Sequence, residues 1–379
     1  MPTLYNGTMS TETTQKAIIA MSGGVDSSAA AKLVVDAGYE VAGVTCKMFG
    51  SNVLEDEESF DAFMDDVEDA KQVCRKLGIE HYVFNYKKPF ESCVIQKFVD
   101  DYLHGRTPNP CVDCNKHVKF GALNRRREEL GFDKLATGHY ARVRFDDETE
   151  RWALLRARHS EKDQSYMLCQ LTQDQLAHAL FPLGELSKDE VRVLASDAGF
   201  GNAQKGESQD ICFIPDGDYA GFIERWQRHH ECAEGGQEGG PIENMAGAKL
   251  GEHEGLFRYT IGQRKGIGVA AGEPLYVVAK DGERNALVVG THDELMTRTV
   301  VADHVNFMAL APEHAVKQDV PVLAKTSYRQ APRPAVARFS GDAVTLKFDE
   351  PLPRPAPGQA LAMYDAETGE TVLAGATIA

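Results

Sequence analysis

Ala20-Met21-Ser22-Gly23-Gly24-Val25-Asp26-Ser27-Ser28 lies between an apolar run, Lys16 to Met21, and a helix-like run, Ser27 to Ala37, with Gly38 just past its end. The first run reads as a short buried strand and the second as an amphipathic helix, so the whole is strand, glycine loop, helix. Gly23 and Gly24 lack the side chains that would keep a phosphate off the backbone, and the N–H groups at the helix start then form an anion nest. Ser22, Ser27 and Ser28 add hydroxyl donors. A glycine pair before a helix is most often only a tight turn; the flanking serines and Asp26 point here to phosphate binding. No Gly-Lys-Ser/Thr follows, so this is not a Walker A loop, and the lysine that stabilises a migrating γ-phosphate is missing from it.

Outward from the loop the alternation continues. Glu40 to Thr45 reads as a strand, Ala62 to Leu77 as a helix ending at Gly78, and His81 to Asn85 as a strand. Phe90 to Leu103 and Asn115 to Leu130 read as helices, and Lys134 to Thr137 as a fourth strand. This predicts an α/β, doubly wound parallel sheet with ligands at the carboxyl ends of its strands, where the glycine loop lies. A hairpin is expected over Arg142 to Arg156, then helices over Gln164 to Leu180 and Ser187 to Ala198, the second opened by a Ser187/Glu190 capping box.

Beyond this the texture changes. Glu231 to Asn244, with Gly235-Gly236 and Gly239-Gly240-Pro241, reads as a linker, and helices stop after it. Short strands are expected at Leu275 to Lys280, Asn285 to Val289, Val300 to Phe307, Asp319 to Ser327, Ala335 to Phe339, Ala343 to Phe348, Ala360 to Tyr364 and Thr371 to Ala374. Their even spacing suggests one or two small β-barrels. Pro351 to Pro357 reads as a stiff connection. The expected division is a flexible tail over 1–15, a catalytic domain over 16–230, a linker and small β-rich central domain over 231–292, and a C-terminal β-barrel over 293–379.

At 379 residues and 42% hydrophobic, the chain is long enough for two or three domains with cores of their own. No apolar run approaches the ~20 residues a membrane helix needs, and Met1 to Gln15 has no apolar signal-peptide centre, so a cytoplasmic protein with no membrane partner is expected. The eight cysteines, Cys46, Cys74, Cys93, Cys111, Cys114, Cys169, Cys212 and Cys232, are too scattered for a secreted disulfide framework. A net charge of −16 argues against whole-surface attraction to nucleic acid but leaves room for a local basic track. Ser51 to Asp69 carries nine carboxylates and no base, whereas Lys116 to Arg127 carries Lys116, Lys119, Arg125, Arg126 and Arg127 and no acid. Each run is most simply a solvated face.

Two cysteines draw notice. Cys114, in Asn109-Pro110-Cys111-Val112-Asp113-Cys114-Asn115-Lys116, sits near a helix N-terminus with Lys116 close by, which favours the thiolate. Cys212, in Asp210-Ile211-Cys212-Phe213-Ile214-Pro215, follows a polar loop. A lone cysteine is more often a small buried hydrophobe than a nucleophile.

The loop Ser-Gly-Gly-x-Asp-Ser resembles the pyrophosphate (PP) loop of the ATP pyrophosphatases, whose ATP is attacked at the α-phosphate. With it, Gly105-Arg106-Thr107-Pro108-Asn109-Pro110, Cys114-Asn115-Lys116, Lys119-Phe120, Ala136-Thr137-Gly138-His139-Tyr140, Lys162-Asp163-Gln164-Ser165-Tyr166, Asp210-Ile211-Cys212-Phe213-Ile214, Thr260-Ile261-Gly262-Gln263-Arg264-Lys265-Gly266 and Tyr328-Arg329-Gln330 follow in order. Over nearly its whole length the chain resembles the bacterial tRNA-specific 2-thiouridylases. That resemblance implies an adenine-nucleotide α-hydrolase-like domain, a small central domain and a C-terminal β-barrel. The reaction implied is ATP- and Mg²⁺-dependent replacement of the C2 oxygen of the wobble uridine by sulfur, in the tRNAs for Lys, Glu and Gln.

The resemblance also implies roles. Cys212 would carry a persulfide received from a cysteine desulfurase or a sulfur-relay protein. Cys114 would be the nucleophile that releases that sulfur as hydrosulfide or resolves the persulfide, leaving a Cys114 to Cys212 disulfide for a cellular reductant. Ala20, Met21, Ser22, Gly23, Gly24, Val25, Asp26, Ser27, Cys46 and Gly138 would bind ATP. Asn109, Pro110 and Cys111 would face the target base of the anticodon stem-loop, and His139, Lys162, Asp163, Gln164, Ser327, Tyr328 and Gln359 would contact tRNA. Three positions depart from the family: Cys46 stands where methionine is usual, Ser327 where arginine is frequent, and Cys111 where many members have aspartate.

Cys111 divides the reading. It is either a residue on the base side of a persulfide site, or the third thiol, with Cys114 and Cys212, of an iron-sulfur cluster. A Cys-x-x-Cys redox switch or half a zinc site are further readings of the pair, though no second pair stands at ligand spacing. Two other classes share parts of the pattern: a small-molecule amidating synthetase, which would need no Cys212, and a non-catalytic RNA-binding protein with a relic loop.

Overall fold

β1 (Lys16–Ala20) is the central strand, and Ala17, Ile18 and Ile19 are fully buried because both faces of the sheet are covered. The computed structural model describes residues 14–49, 57–206, 211–230, 238–315 and 318–379, with 57–62 as backbone only. Most of the N-terminal tail, part of the acidic run, the residues just before Ile211 and Cys212, and Gly235-Gly236 with Cys232 lie outside the described residues. β1 pairs in parallel with β2 (Glu40–Lys47) and β4 (Lys134–Ala136), β2 with β3 (Glu80–Asn85), and β4 with β7 (Ala179–Leu180). The order β3-β2-β1-β4-β7 reverses at β1, so the crevice at the carboxyl ends of β1 and β4 is the topological switch point.

Helix α1 (Val25–Asp36) lies on this sheet through Ala29, Ala30, Ala31 and Val34, all fully buried; three successive alanines let the helix approach closely. Helix α2 (Glu57–Leu77) adds Ala70, Val73 and Cys74 to the same core, and the helix Lys188–Asp197 adds Val191 and Ala195.

The expected helix over Gln164 to Leu180 is not continuous. It breaks into Ser165–Leu168 and Gln173–His178, the second opened by a Thr172/Gln175 capping box, and ends in β7, the fifth strand of the sheet. A two-residue strand has no period to read. The helices expected over Phe90 to Leu103 and Asn115 to Leu130 exist but widen to π-helical turns at Glu91–Ile95 and Cys114–Leu123. Tyr219–His230 is a helix that the pattern did not announce.

The chain divides into two compact units, Met1–Val94 with Cys111–Phe213 and Glu370–Leu373, and Ile95–Pro110 with Ile214–Gly369 and Ala374–Ala379. In the first unit the parallel sheet is joined by the hairpin of β5 (Ala141–Asp146) and β6 (Arg151–Arg156). The 370–373 stretch runs along this hairpin: Arg156 N–H donates to Glu370 O at 2.9 Å, Leu155 bridges Thr371, and the Arg142 guanidinium reaches the Glu370 carboxylate at 3.3 Å.

In the second unit the helices Gln96–Leu103 and Tyr219–His230 meet through Phe98 with Phe222 and a Tyr102–Tyr219 stack, centroids 4.7 Å apart. Beside them β8 (Gly240–Asn244), β9 (Lys249–His253), β10 (Tyr276–Asp281) and β11 (Ala286–Gly290) form a four-stranded sheet in the order β10-β11-β8-β9. The end of the expected linker is therefore strand, because Ile242 fills the core of that sheet. β12 (Met296–Phe307), β13 (Val320–Lys325), β14 (Arg333–Ser340), β15 (Ala343–Pro353), β16 (Ala360–Asp365) and β17 (Val372–Ile378) close one barrel in the order β12-β15-β14-β13-β16-β17. The proline run begins inside β15, where Met296 pairs with Pro353. On β14 Ala335, Ala337 and Phe339 point inward and Val336 and Arg338 outward, the alternation a closed sheet requires.

Candidate functional site

The glycine loop turns from β1 into α1 with Gly23 at φ +74° and Gly24 as the helix N-cap, and no side chain caps that helix. Its first N–H groups are thereby left for an anion. A Cβ on Gly23 would lie 2.5 Å from Asp66 O of α2, so the loop is seated against a neighbouring helix as well as turned sharply. Gly138, just after β4, would drive a Cβ to 2.8 Å from Ser27 N; its bareness lets β4 approach the loop. The hydroxyls differ from expectation. Ser27 and Ser28 are buried and both donate to Gly24 O at 3.0 Å, so they brace the loop, and Ser22 is the exposed one. Ala20 and Met21 continue β1, with Met21 N–H donating to Val44 O.

Three distant residues complete the loop, and no local signal marks them. Asn202 Nδ2 donates to Gly23 O at 2.8 Å and Ser28 Oγ at 2.9 Å from a buried position. Tyr140 O–H donates to Asp26 Oδ1 at 2.7 Å. Lys188 Nζ, its side chain only 12% exposed, donates to the same oxygen at 2.7 Å. Lys205 ties Asp66 and Asp69 of α2 at 2.8 and 2.6 Å, which fixes the helix that Gly23 touches. A triphosphate fits this cradle: two bare glycines, uncapped N–H groups, and Asp26 as a carboxylate able to hold Mg²⁺.

The same unit gathers the thiols. The Lys119 ammonium acts electrostatically on Cys46, Cys111, Cys114 and Cys212, and the charge of Cys114 would act on both Cys46 and Cys212. Phe213, next to Cys212, packs edge-on against Phe90, centroids 5.7 Å apart. Cys114 is buried, with its thiol 3.9 Å from Met48 Sδ. Burial pushes that thiol up to about 11, against the lowering by Lys119. The expected helix-terminus thiolate is thus a resting thiol: the helix widens at Cys114, Lys116 turns its ammonium to Gln170 Oε1 at 3.2 Å, and Lys119 takes its place as the nearby cation. Burial also raises Cys212, to about 12, and Cys111, but both are open to solvent and water offsets part of that push. Among the described residues no three Cys, His, Asp or Glu side chains converge as a metal set, so the thiols as placed do not fit a cluster.

The expected tRNA contacts fall in both units. In the first, His139 stands between Phe120 and Phe181, centroids 6.1 and 6.2 Å away, and Nδ1 pairs with Thr137 Oγ1 at 2.8 Å. Burial and Lys119 hold its pKa well below the ordinary value, so it is neutral. Asp163 is turned inward, taking Arg156 Nε, Ala157 N–H and the Ser165 N–H and hydroxyl. Gln164 Oε1 accepts from Tyr140 N–H at 2.9 Å, which leaves Lys162 as the half-exposed member of the trio. In the second unit Tyr328 is exposed with Lys325 Nζ 5.3 Å over its ring, and Ser327 precedes it in the same turn.

Asn109 and Pro110 end a strap that is tied down at both ends. Arg106 N–H donates to Asp101 O, its Nε to the buried Asp101 carboxylate at 2.7 Å, and Thr107 N–H to Pro357 O at 2.7 Å. Gln359 Nε2 donates to Thr107 O at 2.8 Å and Pro108 O at 3.0 Å. Gly358, at φ +88°, would place a Cβ 3.1 Å from Arg106 Cβ. Gln359, expected at RNA, is therefore the clamp of this strap.

Residues 15–216 match the family described as tRNA methyl transferase HUP domain, 232–291 the tRNA methyl transferase PRC-barrel domain and 297–378 the aminomethyltransferase β-barrel domain. Proteins named tRNA-specific 2-thiouridylase MnmA are similar end to end. That of Geotalea uraniireducens is 43% identical over 96% of this chain and 95% of its own length. That of Geobacter metallireducens is 43% identical over 98% of each chain, and that of Heliobacterium modesticaldum 43% identical over 95% of this chain and 91% of its own.

Proposed function

Because the chain belongs to the tRNA-specific 2-thiouridylase family, we propose that it replaces the C2 oxygen of the wobble uridine, in the tRNAs for Lys, Glu and Gln, by sulfur from a Cys212 persulfide. The observation that carries this reading is the convergence of Cys114 and Cys212, far apart in sequence, around Lys119 in the unit that also holds the glycine loop. Methyl transfer, the wording of two of the family descriptions, has no use for a thiol pair beside a pyrophosphate loop. An amidating synthetase has no use for Cys212.

Uracil O2 attacks the α-phosphorus of ATP; the bond to the β-phosphate oxygen breaks and pyrophosphate leaves with that electron pair. The terminal sulfur of the Cys212 persulfide adds at C2, and AMP departs with the former O2. Cys114, as thiolate, attacks Cys212 Sγ; the sulfur left on C2 takes the electron pair, and 2-thiouridine and a Cys114–Cys212 disulfide result. A dithiol reductant returns two electrons and two protons to that disulfide. Lys119 is the cation that favours the Cys114 thiolate at the resolving step, and the neutral His139 between two phenyl rings suits a flipped base better than a phosphate. Exposed Tyr328 beside Lys325 offers RNA a stacking ring and a positive charge. A desulfurase or relay protein supplies the persulfide. The domain division at 16–230, 231–292 and 293–379 and a cytoplasmic location belong to the same reading; no helix among the described residues is long and apolar enough to cross a membrane.

The test is mass spectrometry of wobble 2-thiouridine in unmodified glutamate tRNA, incubated anaerobically with ATP, Mg²⁺ and a desulfurase system. Cys114→Ser and Cys212→Ser are expected to lose activity by about 100-fold or more, as removal of a nucleophile does, while Cys111→Ser keeps most of it. Loss in Cys111→Ser as deep as in the other two, with iron bound to the wild type, would replace the persulfide by a three-thiol cluster.

A further inference from the structure

The glycine loop has no lysine of its own, yet a lysine reaches it. Lys188 is the first residue of the helix Lys188–Asp197, placed by the Ser187/Glu190 capping box, and its ammonium meets Asp26 Oδ1 at 2.7 Å in the first turn of α1. That position is unfavourable for a cation: the helix macrodipole repels positive charge at its N-terminal end. The side chain is also largely withdrawn from water, and Asp26 shares its oxygen between Lys188 and the Tyr140 hydroxyl. A mostly buried ammonium beside uncapped N–H groups is an excess of positive potential that one shared carboxylate offsets only in part.

We propose that Lys188 is the triphosphate-binding cation of this site, held by Asp26 until ATP arrives and then placed on the β- and γ-phosphates. The proposal rests on the ATP reading of the glycine loop. When the bond from the α-phosphorus to the β-phosphate oxygen breaks, negative charge grows on the departing pyrophosphate, and Lys188 offsets it. The lysine that a Walker A loop carries within its own turn is here delivered by a helix more than half the first unit away in sequence. Transfer of Lys188 to the phosphates also frees Asp26 to hold Mg²⁺.

The full-length protein is titrated calorimetrically with α,β-methylene-ATP and with AMP, as wild type, Lys188→Met and Lys188→Arg. Lys188→Met is expected to weaken the triphosphate analogue by about 10- to 100-fold, the range for removing a charged hydrogen bond to an anion, with AMP affinity within about twofold of wild type. Lys188→Arg, which keeps the charge, is expected to restore most of the triphosphate affinity. Pyrophosphate release by Lys188→Met with tRNA present should fall by about 100-fold. Equal loss of AMP and triphosphate binding, or no loss of either, would make Lys188 only a structural partner of Asp26. Failure of Lys188→Arg to recover while it melts at the wild-type temperature would do the same. A wild type that binds neither nucleotide would instead overturn the ATP reading itself.

Discussion

Cys114 shows how burial can override sequence position. A cysteine beside a lysine at a helix start reads as a thiolate, but the side chain is packed away from water and its pKa is pushed up to about 11. Alkylation of Cys114 by iodoacetamide should therefore climb about tenfold per pH unit from about pH 7 to 10 without a plateau; a plateau near about pH 8.5, the range of an ordinary free thiol, would show an activated thiolate. The same burial raises Cys74 to about 11 and Cys169 to about 12. An acid raised in the folded state is neutral there while its unfolded counterpart ionises. Stability is therefore intact below about pH 9 and falls as pH rises from there through about 11 to 12. Urea midpoints across that range check the sign. At Gly23 the constraint is steric. Gly23→Ala puts a Cβ 2.5 Å from Asp66 O at φ +74°, which should cost about 1–3 kcal/mol and appear as a lower melting temperature together with weaker ATP binding. The glycine was legible in the sequence, as a phosphate cradle. Its second reason, the backbone of α2, was not, and neither were Asn202 and Lys188, because nothing local connects them to the loop.

Among elements, legibility followed period. The core strands β1 and β2 and the helices on them carry long apolar patterns, and they stand within a few residues of where those patterns place them. β7 has two residues, and Thr172 restarts a helix just ahead of it, so the stretch reads as one helix and is not. The π-helical turns at Cys114–Leu123 have no signature that separates them from an ordinary helix. Capping chemistry was legible: Ser187 and Glu190 make both bonds of the expected box. The strap 105–108 is visible in the sequence as a motif, whereas its partner Gln359, on the loop before β16, reads there as an RNA contact. Gln359→Leu removes both amide bonds to the strap and should cost about 1–3 kcal/mol for the carbonyls that lose this donor. Hydrogen exchange at the Thr107 amide should speed up, and tRNA binding should change less than turnover. Unchanged exchange with weakened RNA binding would return Gln359 to the RNA.

For the molecule as a whole, the division into catalytic and β-rich parts was legible from the change of texture near residue 231, and the units do not follow it cleanly. Ile95–Pro110 counts with the second unit and Glu370–Leu373 with the first. A fragment ending at Gly369 loses β17, and with it the closure of the barrel and the bridge to β6. Its thermal transition should lie about 4 °C or more below that of the full chain, the shift expected for the loss of a few kcal/mol in a large domain, and the hairpin 141–156 should become sensitive to protease. A fragment that melts like the full chain and keeps a resistant hairpin would show that the 370–373 contacts carry no stability.

The pairing of Arg156 with Glu370 sets a timetable for biosynthesis. A ribosome delivers chain from one end at about 5–20 residues per second, so β6 emerges well before the stretch that lies against it. During that interval the nascent first unit carries a sheet edge whose backbone groups still await their partners, the kind of surface that recruits a chaperone or another unfinished chain. Release of the polypeptide, and not emergence of the nucleotide site, is then the event that ends this exposure.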